Sequence, residues 1–139
     1  MHKTFEISTT GPGLYAFTPQ VSDWVQGDGL LTLFVRHTSC SLLIQENADP
    51  EVQTDLRNFF DRLVPASDDP SMAYLTHTDE GPDDMPAHIK AAMMPVSLEI
   101  PVLEGCMALG TWQGIYLFEH RRRAHRRSVV AMMGGGHDG

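Results

Sequence analysis

Histidines are the side chains of this sequence best suited to chemistry, and five lie in its interior, at His37, His77, His88, His120 and His125. Their spacing matches neither HExxH nor a zinc finger, so a site built from them must assemble from separate elements. Imidazoles and carboxylates at element ends are what divalent-metal and acid–base sites require. We therefore predict that His37, His77 and His88 hold a divalent metal (Mg²⁺, Zn²⁺ or Mn²⁺), or that His37 and His88 act as catalytic bases.

Carboxylate and amide side chains adjoin predicted strands and extend the candidate site. Asp49 precedes Pro50 and is explained as a helix cap, but capping does not account for Glu46 or Asn47. We predict that Glu46, Asn47 and the strand-terminal Glu119 are catalytic. Gln113 lies between two strands and is predicted to face a ligand, whereas its neighbour Trp112 is expected in the core.

Charge is unevenly distributed along the chain, whose formal net charge is −8. Five arginines and no acid fall between residues 121 and 127. An acidic protein with one basic run is a poor candidate for general nucleic-acid binding. The run is either solvated surface or a site for a small phosphorylated molecule. On the second interpretation the substrate-binding cations are Lys90, Arg121, Arg123 and Arg126.

Secondary-structure signals indicate a single α+β domain with a largely antiparallel or mixed β-sheet or sandwich and two or three short helices. Strands are expected at 4–9, 30–35, 41–44, 96–102, 107–111, 114–119 and 128–132. Two helices are expected to begin with Pro19 and Pro50 at their first positions, and a third is expected to follow Pro86. The domain is assigned to residues 1–133 and a disordered Gly-rich tail to 134–139. No apolar run approaches the ~20 residues of a membrane span. Two cysteines without a CxxC motif indicate buried, reduced thiols and a cytoplasmic location.

Several segments together resemble the YjbQ-like family, also labelled secondary thiamine-phosphate synthase. The similarity extends from about Leu14 to Met132. It depends on five motifs that are specific for the family when they occur together in this order along the chain. They are His37-Thr38-Ser39-Cys40-Ser41-Leu42, Glu46-Asn47-Ala48-Asp49-Pro50, Glu80-Gly81-Pro82-Asp83-Asp84-Met85-Pro86-Ala87-His88-Ile89-Lys90, Gly110-Thr111-Trp112-Gln113-Gly114-Ile115-Tyr116 and Glu119-His120-Arg121.

The resemblance implies an α+β subunit that forms a homotrimer, with a pocket of matching His, Glu and Asn positions near the subunit boundaries. The implied activity joins hydroxymethylpyrimidine diphosphate to a thiazole phosphate and releases pyrophosphate, which makes the chain a transferase of modest activity. Two alternatives remain open from the residues themselves. One is a metal-dependent hydrolase using the same histidine and carboxylate set, and the other is a non-catalytic binder of a small phosphorylated ligand or metal.

Overall fold

The computed structural model describes residues 1–135. Over that range the chain forms eight strands and three helices, together with a short 3-10 turn at Pro70–Met72. In chain order they are β1 (His2–Thr9), β2 (Gly13–Ala16), α1 (Thr18–Trp24), β3 (Gly29–Val35), β4 (Cys40–Glu46), α2 (Pro50–Leu63), α3 (Asp84–Met93), β5 (Ser97–Leu103), β6 (Cys106–Met107), β7 (Gln113–Glu119) and β8 (His125–Gly134).

The strands form two antiparallel sheets. The larger sheet has the order β1-β8-β3-β5-β6, and the smaller has the order β2-β7-β4. Every strand pairing is antiparallel. Strands that are neighbours in a sheet are often distant from each other in sequence. The predicted α+β class with an antiparallel sheet or sandwich and three short helices is confirmed.

The hydrophobic core lies between the two sheets, because both contribute to one cluster of buried apolar side chains. In β3, Leu31, Leu33 and Val35 are buried while Phe34 is exposed, which is the alternation of a strand with one covered face. β7 differs, since every residue from 114 to 119 is buried. Its outer face lies under α2, where the Phe60 and Phe118 rings meet edge to face at 6.0 Å.

Two helix starts follow from local chemistry. Asp49 caps α2 as predicted, since its Oδ1 accepts a hydrogen bond from the Glu51 backbone N–H at 2.9 Å. α3 begins at Asp84, two residues before Pro86, so the predicted start after Pro86 was wrong. A proline in the first turn is tolerated because its missing N–H has no intrahelical partner there.

Three further expectations differ from the structure. Trp112 is 62% exposed and is not a core residue. The strand expected at 107–111 is reduced to Cys106–Met107. Cys40 and Cys106 are both free thiols, but only Cys40 is buried. Burial raises the pKa of the Cys40 thiol to about 12.

The C-terminal strand extends into the segment assigned to the tail. Gly134 belongs to β8 and pairs with Leu30 of β3. The remainder of that tail, residues 136–139, lies outside the described residues. The longest helix, α2, has 14 residues, and no helix within residues 1–135 combines the length and apolarity needed to cross a membrane.

Candidate metal and acid–base site

The N-terminal half of α3 and the loop before it bring two histidines and one carboxylate together. The possible ligand atoms of His77, Asp84 and His88 all lie within 4.8 Å of one another. Asp84 and His88 are four residues apart on α3, which places them on one helix face. His77 Nε2 lies 2.7 Å from Asp84 Oδ2, and His88 Nε2 lies 3.3 Å from Asp84 Oδ1. We call these three residues the triad.

Asp84 is the buried centre of the triad, with only 1% of its surface exposed. Burial alone raises the pKa of its carboxyl group, but the His77 hydrogen bond and the positive charges of Arg121 and His88 outweigh burial. The net effect is a pKa below the usual range, so Asp84 is ionised at neutral pH. Arg121 is the nearest permanent charge, since its Nη1 donates to Asp84 Oδ1 at 2.5 Å.

A backbone carbonyl fixes the ring of His88. The Nδ1 atom lies 2.9 Å from the Thr38 oxygen, and because that oxygen can only accept, Nδ1 carries a proton. In the neutral ring Nε2 is then an acceptor facing the Asp84 carboxylate. Two acceptors 3.3 Å apart need a cation between them, which is either a second imidazole proton or a metal ion.

The donor set fits a divalent transition metal. Two imidazole nitrogens and one carboxylate leave coordination positions open, as in catalytic zinc sites and two-histidine, one-carboxylate sites. Ligands of a tetrahedral zinc ion lie about 3.3 Å apart, which is the His88–Asp84 spacing. His77 would have to withdraw by roughly half an ångström from its present hydrogen bond with Asp84. Its side chain is 51% exposed and therefore has room to do so.

His37 lies beside the triad but is held in another way. It lines a cavity of about 300 Å³ together with Thr38, His88, Ala91, Ala92 and Val96. Its Nε2 accepts a hydrogen bond from the Ser128 backbone N–H at 2.8 Å. Burial, followed by the charge of Arg127, lowers the pKa of His37 and favours the neutral ring. With Nε2 occupied and Nδ1 protonated, His37 offers no free lone pair for a metal, so its predicted ligand role is left without structural support.

Glu119 belongs to a buried structural network. Its carboxylate accepts hydrogen bonds from Thr9 Oγ1 and Arg127 Nε, both at 2.7 Å, and from the backbone N–H groups of His120 and Arg121. Its second oxygen also contacts Arg127 Nη2. Burial raises the pKa of Glu119, but the Arg127 and Thr9 hydrogen bonds outweigh burial and hold it below the usual range. These donors occupy the lone pairs of both carboxylate oxygens. Glu119 therefore has no free acceptor with which to serve its predicted catalytic role.

Glu46, Asn47 and Gln113 gather at the opposite end of the small sheet. Glu46 pairs with Gln113, whereas Cys40, close to His37, pairs with Glu119. The seven residues of β4 separate Cys40 from Glu46 by about 20 Å. Asn47 Nδ2 donates to the Gln113 carbonyl at 3.4 Å. Within one chain, these three predicted site residues do not meet the triad.

The predicted substrate-binding cations fall in four settings. Lys90 lies on another face of α3, is buried, and donates to Asp61 Oδ1 at 2.7 Å. Arg121 is bound to Asp83 and Asp84. Arg126 is exposed, with its Nε 3.7 Å from Glu6. Arg123 is exposed. Arg121 therefore orders the acids of α3, while Arg123 and Arg126 lie on the surface.

Asp84 was not singled out by the sequence, in which it is one of several acids near 79–84 that could hold a metal together with the histidines. Its four-residue spacing from His88 was a usable signal, because residues four apart share a helix face. The signal was hidden by the expectation that α3 starts after Pro86, which placed Asp84 in the preceding loop. Arg121 was identified as a cation, but its pairing with Asp83 and Asp84 joins residues 37 positions or more apart and has no local signature.

Comparison with known proteins gives the chain its family. A family model described as "UPF0047 protein YjbQ-like" matches residues 3–135. The chain belongs to this family. The UPF0047 protein sll1880 of Synechocystis is 49% identical over 133 residues, covering 93% of this chain and 88% of the relative. The UPF0047 protein YjbQ of Salmonella typhimurium is 40% identical and covers 96% of both chains.

Solved structures related to this family share the architecture. The conserved hypothetical protein TT1486 of Thermus thermophilus aligns with a TM-score of 0.82 at 31% identity. The alignment covers 95% of this chain and 99% of that protein. A YjbQ/UPF0047 family protein from Clostridium acetobutylicum gives the same TM-score and identity. The two-sheet fold is thus common to the family members compared.

Proposed function

We propose that this chain is a metal-dependent enzyme acting on a small phosphorylated substrate, with the reaction of a low-activity thiamine-phosphate synthase. The observation that carries the proposal is the approach of the possible ligand atoms of His77, Asp84 and His88 to within 4.8 Å of one another. The choice of reaction rests on the family resemblance. A leaving pyrophosphate needs its charge neutralised, and a divalent ion held by the triad would supply that neutralisation.

The proposed transfer is balanced without an oxidant or a further co-reactant. A thiazole ring nitrogen donates its lone pair to the methylene carbon of the pyrimidine diphosphate, and the carbon–oxygen bond breaks. Pyrophosphate leaves with the bonding electrons, and the nitrogen, which carries no proton, becomes cationic. The chain's part is to keep Asp84 ionised through Arg121, and to aim Nε2 of His88 through the Thr38 carbonyl.

A homotrimer is part of the proposal. Its support is α2, in which no residue is buried and Phe59 and Leu63 are 58% and 51% exposed. A helix with open apolar positions is suited to contact with another copy of the chain. Assembly would also allow Glu46, Asn47 and Gln113 of one copy to approach the triad of the next. We further propose a cytoplasmic location, which the two free thiols favour.

A second candidate is a metal-dependent hydrolase of phosphate esters. It is favoured by the half exposure of His77, which leaves the triad open to water and to an ester substrate. The non-catalytic alternative, a binder of metal or of a phosphorylated ligand, uses the same triad without turnover.

Product analysis separates these functions. The purified protein is incubated with hydroxymethylpyrimidine diphosphate, the thiazole phosphate and Mg²⁺, Mn²⁺ or Zn²⁺, and thiamine phosphate and pyrophosphate are quantified. We expect both products in equal amounts and their loss in Asp84→Asn, with Asp79→Asn as the control from the exposed loop. Inorganic phosphate released from ester substrates, without thiamine phosphate, would favour the hydrolase. Metal binding without any turnover would leave the binder.

A further inference from the structure

A second cavity lies on the other side of α3 from the triad. It has a volume of about 530 Å³, within the usual range for small-molecule sites. Asp83, the residue before α3, and Pro86 and Lys90 of α3 contribute to its wall, and their three- and four-residue spacing differs from the Asp84–His88 face. The remaining walls come from α2, the loop after it, and the segment following β7, through Pro12, Arg57, Asp61, Val64, Pro65, Ala66, His120 and Arg122.

The cavity is positively charged inside an acidic protein. Its three basic residues, Arg57, Lys90 and Arg122, exceed its two carboxylates, Asp61 and Asp83, by one charge. Lys90 is paired with Asp61, and the Asp83 carboxylate accepts from Arg121 Nε and the Arg122 backbone N–H. In the described part of the chain, no carboxylate pairs with the guanidinium of Arg57 or Arg122. Two cations are therefore available to an anion.

His120, which lines this cavity, also has a buried polar atom without a partner. His120 is 4% exposed, and its Nε2 pairs with Ser41 Oγ at 2.9 Å. Its Nδ1 is the buried side-chain nitrogen or oxygen without a hydrogen-bond partner in residues 1–135. Burial and the charge of Lys90 lower the pKa of His120 to about 3, so the ring is neutral. A neutral ring that accepts from Ser41 at Nε2 has an unused Nδ1–H donor.

We infer that this cavity is a second ligand site, and that its ligand is a small organic phosphate ester. Arg57 and Arg122 would bind the phosphate, because guanidinium groups match phosphate oxygens in geometry and charge. Val64, Pro65, Ala66 and Pro86 form an apolar wall suited to the organic part. The site is distinct from the triad and does not depend on the proposed reaction.

Titration of the full chain with phenyl phosphate tests the inference, with inorganic phosphate as the comparison. We expect the ester to bind more tightly, because only it fills the apolar wall. Arg57→Gln and Arg122→Gln should each lower the affinity for phenyl phosphate about tenfold or more. Arg62→Gln on α2 is the matched control, exposed and outside the cavity lining, and should bind as the parent protein does.

Two further measurements locate the ligand. Binding should persist in His88→Ala and after treatment with a chelator, and loss of binding in either case would assign the phosphate to the triad. The ¹⁵N resonance of His120 Nδ1 should shift on ligand addition, whereas that of His2 should not. Absence of binding at millimolar ester, equal binding of ester and inorganic phosphate, or unchanged affinity in both arginine variants would each overturn the inference.

Discussion

His88 Nε2 faces Asp84 Oδ1 at 3.3 Å across one turn of α3, while the opposite ring nitrogen is held by the Thr38 carbonyl. This relationship fixes a proton on Nδ1 and places Nε2 beside an ionised carboxylate, where a second proton or a metal ion has to lie between the two atoms. His77 closes the group from the preceding loop. Metal-ligating histidines are typically oriented by a carbonyl bound to their other nitrogen. The arrangement is therefore the basis of the first prediction.

Replacing His88 with alanine is expected to abolish stoichiometric Zn²⁺ or Mn²⁺ binding with little loss of stability, because the side chain is partly exposed and contributes a ligand more than packing. His37→Ala should retain metal, since its Nε2 is occupied by the Ser128 N–H. Elemental analysis and thermal midpoints of the two variants and of His2→Ala, an exposed control, make the comparison. Full metal content in His88→Ala would remove the triad as a metal site.

Asp84→Asn should weaken the fold and change its response to acid. Loss of the charge-assisted hydrogen bonds to Arg121 and His77 is expected to cost about 1.5–3 kcal/mol of unfolding free energy at neutral pH. Since the folded pKa of Asp84 is depressed, its contribution is present above the unfolded pKa of about 3.9 and is lost as pH falls through the folded value.

Urea titrations at several pH values between about 6 and 3 would measure this effect. The difference between the parent protein and Asp84→Asn should shrink as pH falls below about 4. Asp79→Asn, in the exposed part of the same loop, is the control and should leave both stability and its pH dependence unchanged. A constant difference across the whole range would contradict the assigned ionisation of Asp84.

Features of the fold with a local signature could be predicted from sequence. The Asp49–Pro50 cap and the alternating apolar residues of β3 are examples, since each depends on residues a few positions apart. β2 was missed, because Gly13–Ala16 is a strand through pairing with β7, about a hundred residues later. Trp112 was misplaced because its size favours burial, whereas its position in the turn before β7 leaves it exposed.

The candidate site was predictable in its residue types but only partly in its membership. His77 and His88 lie close together, while the metal-ligand role of His37, His77 and His88 stays a prediction. Glu119 has the right chemistry for catalysis, but its carboxylate is surrounded by Thr9 and Arg127. These three residues lie on three different strands, β7, β1 and β8. No sequence pattern distinguishes a carboxylate filled by buried donors from one that is free to act.

Glu119→Gln is expected to destabilise the protein by about 3–5 kcal/mol, because it leaves the Arg127 guanidinium buried without its counter-charge. Glu6→Gln provides a matched test at the neighbouring position of β8, since Glu6 of β1 contacts the exposed Arg126. That change should stay within about 0.5 kcal/mol. Chemical denaturation of both variants gives the values. A stable Glu119→Gln protein that has lost turnover would instead restore the predicted catalytic role of Glu119.

The arginine run should separate into structural and surface members. Arg121→Ala is expected to weaken pyrophosphate binding in the presence of metal by about 1.5–3 kcal/mol, because Asp84 of the triad and its neighbour Asp83 both lose their ion pair with Arg121. Arg123→Ala and Arg126→Ala should change binding by no more than about 0.5 kcal/mol if they are solvated surface. Calorimetric titration with pyrophosphate measures all three. A large loss for Arg123 or Arg126 would support their predicted role in substrate binding.

The proposed trimer makes the most direct physical prediction, a particle with three times the 15.4 kDa mass of the chain. Light scattering at micromolar concentration measures that mass. Phe59→Glu should dissociate the trimer if the exposed apolar residues of α2 lie at the contact between subunits, because a buried, unpaired carboxylate opposes association. Leu103→Glu, equally exposed but on β5, is the control and should remain assembled. A stable monomer of the parent protein would rule out the trimer, and with it any site completed by Glu46, Asn47 and Gln113 from a second copy.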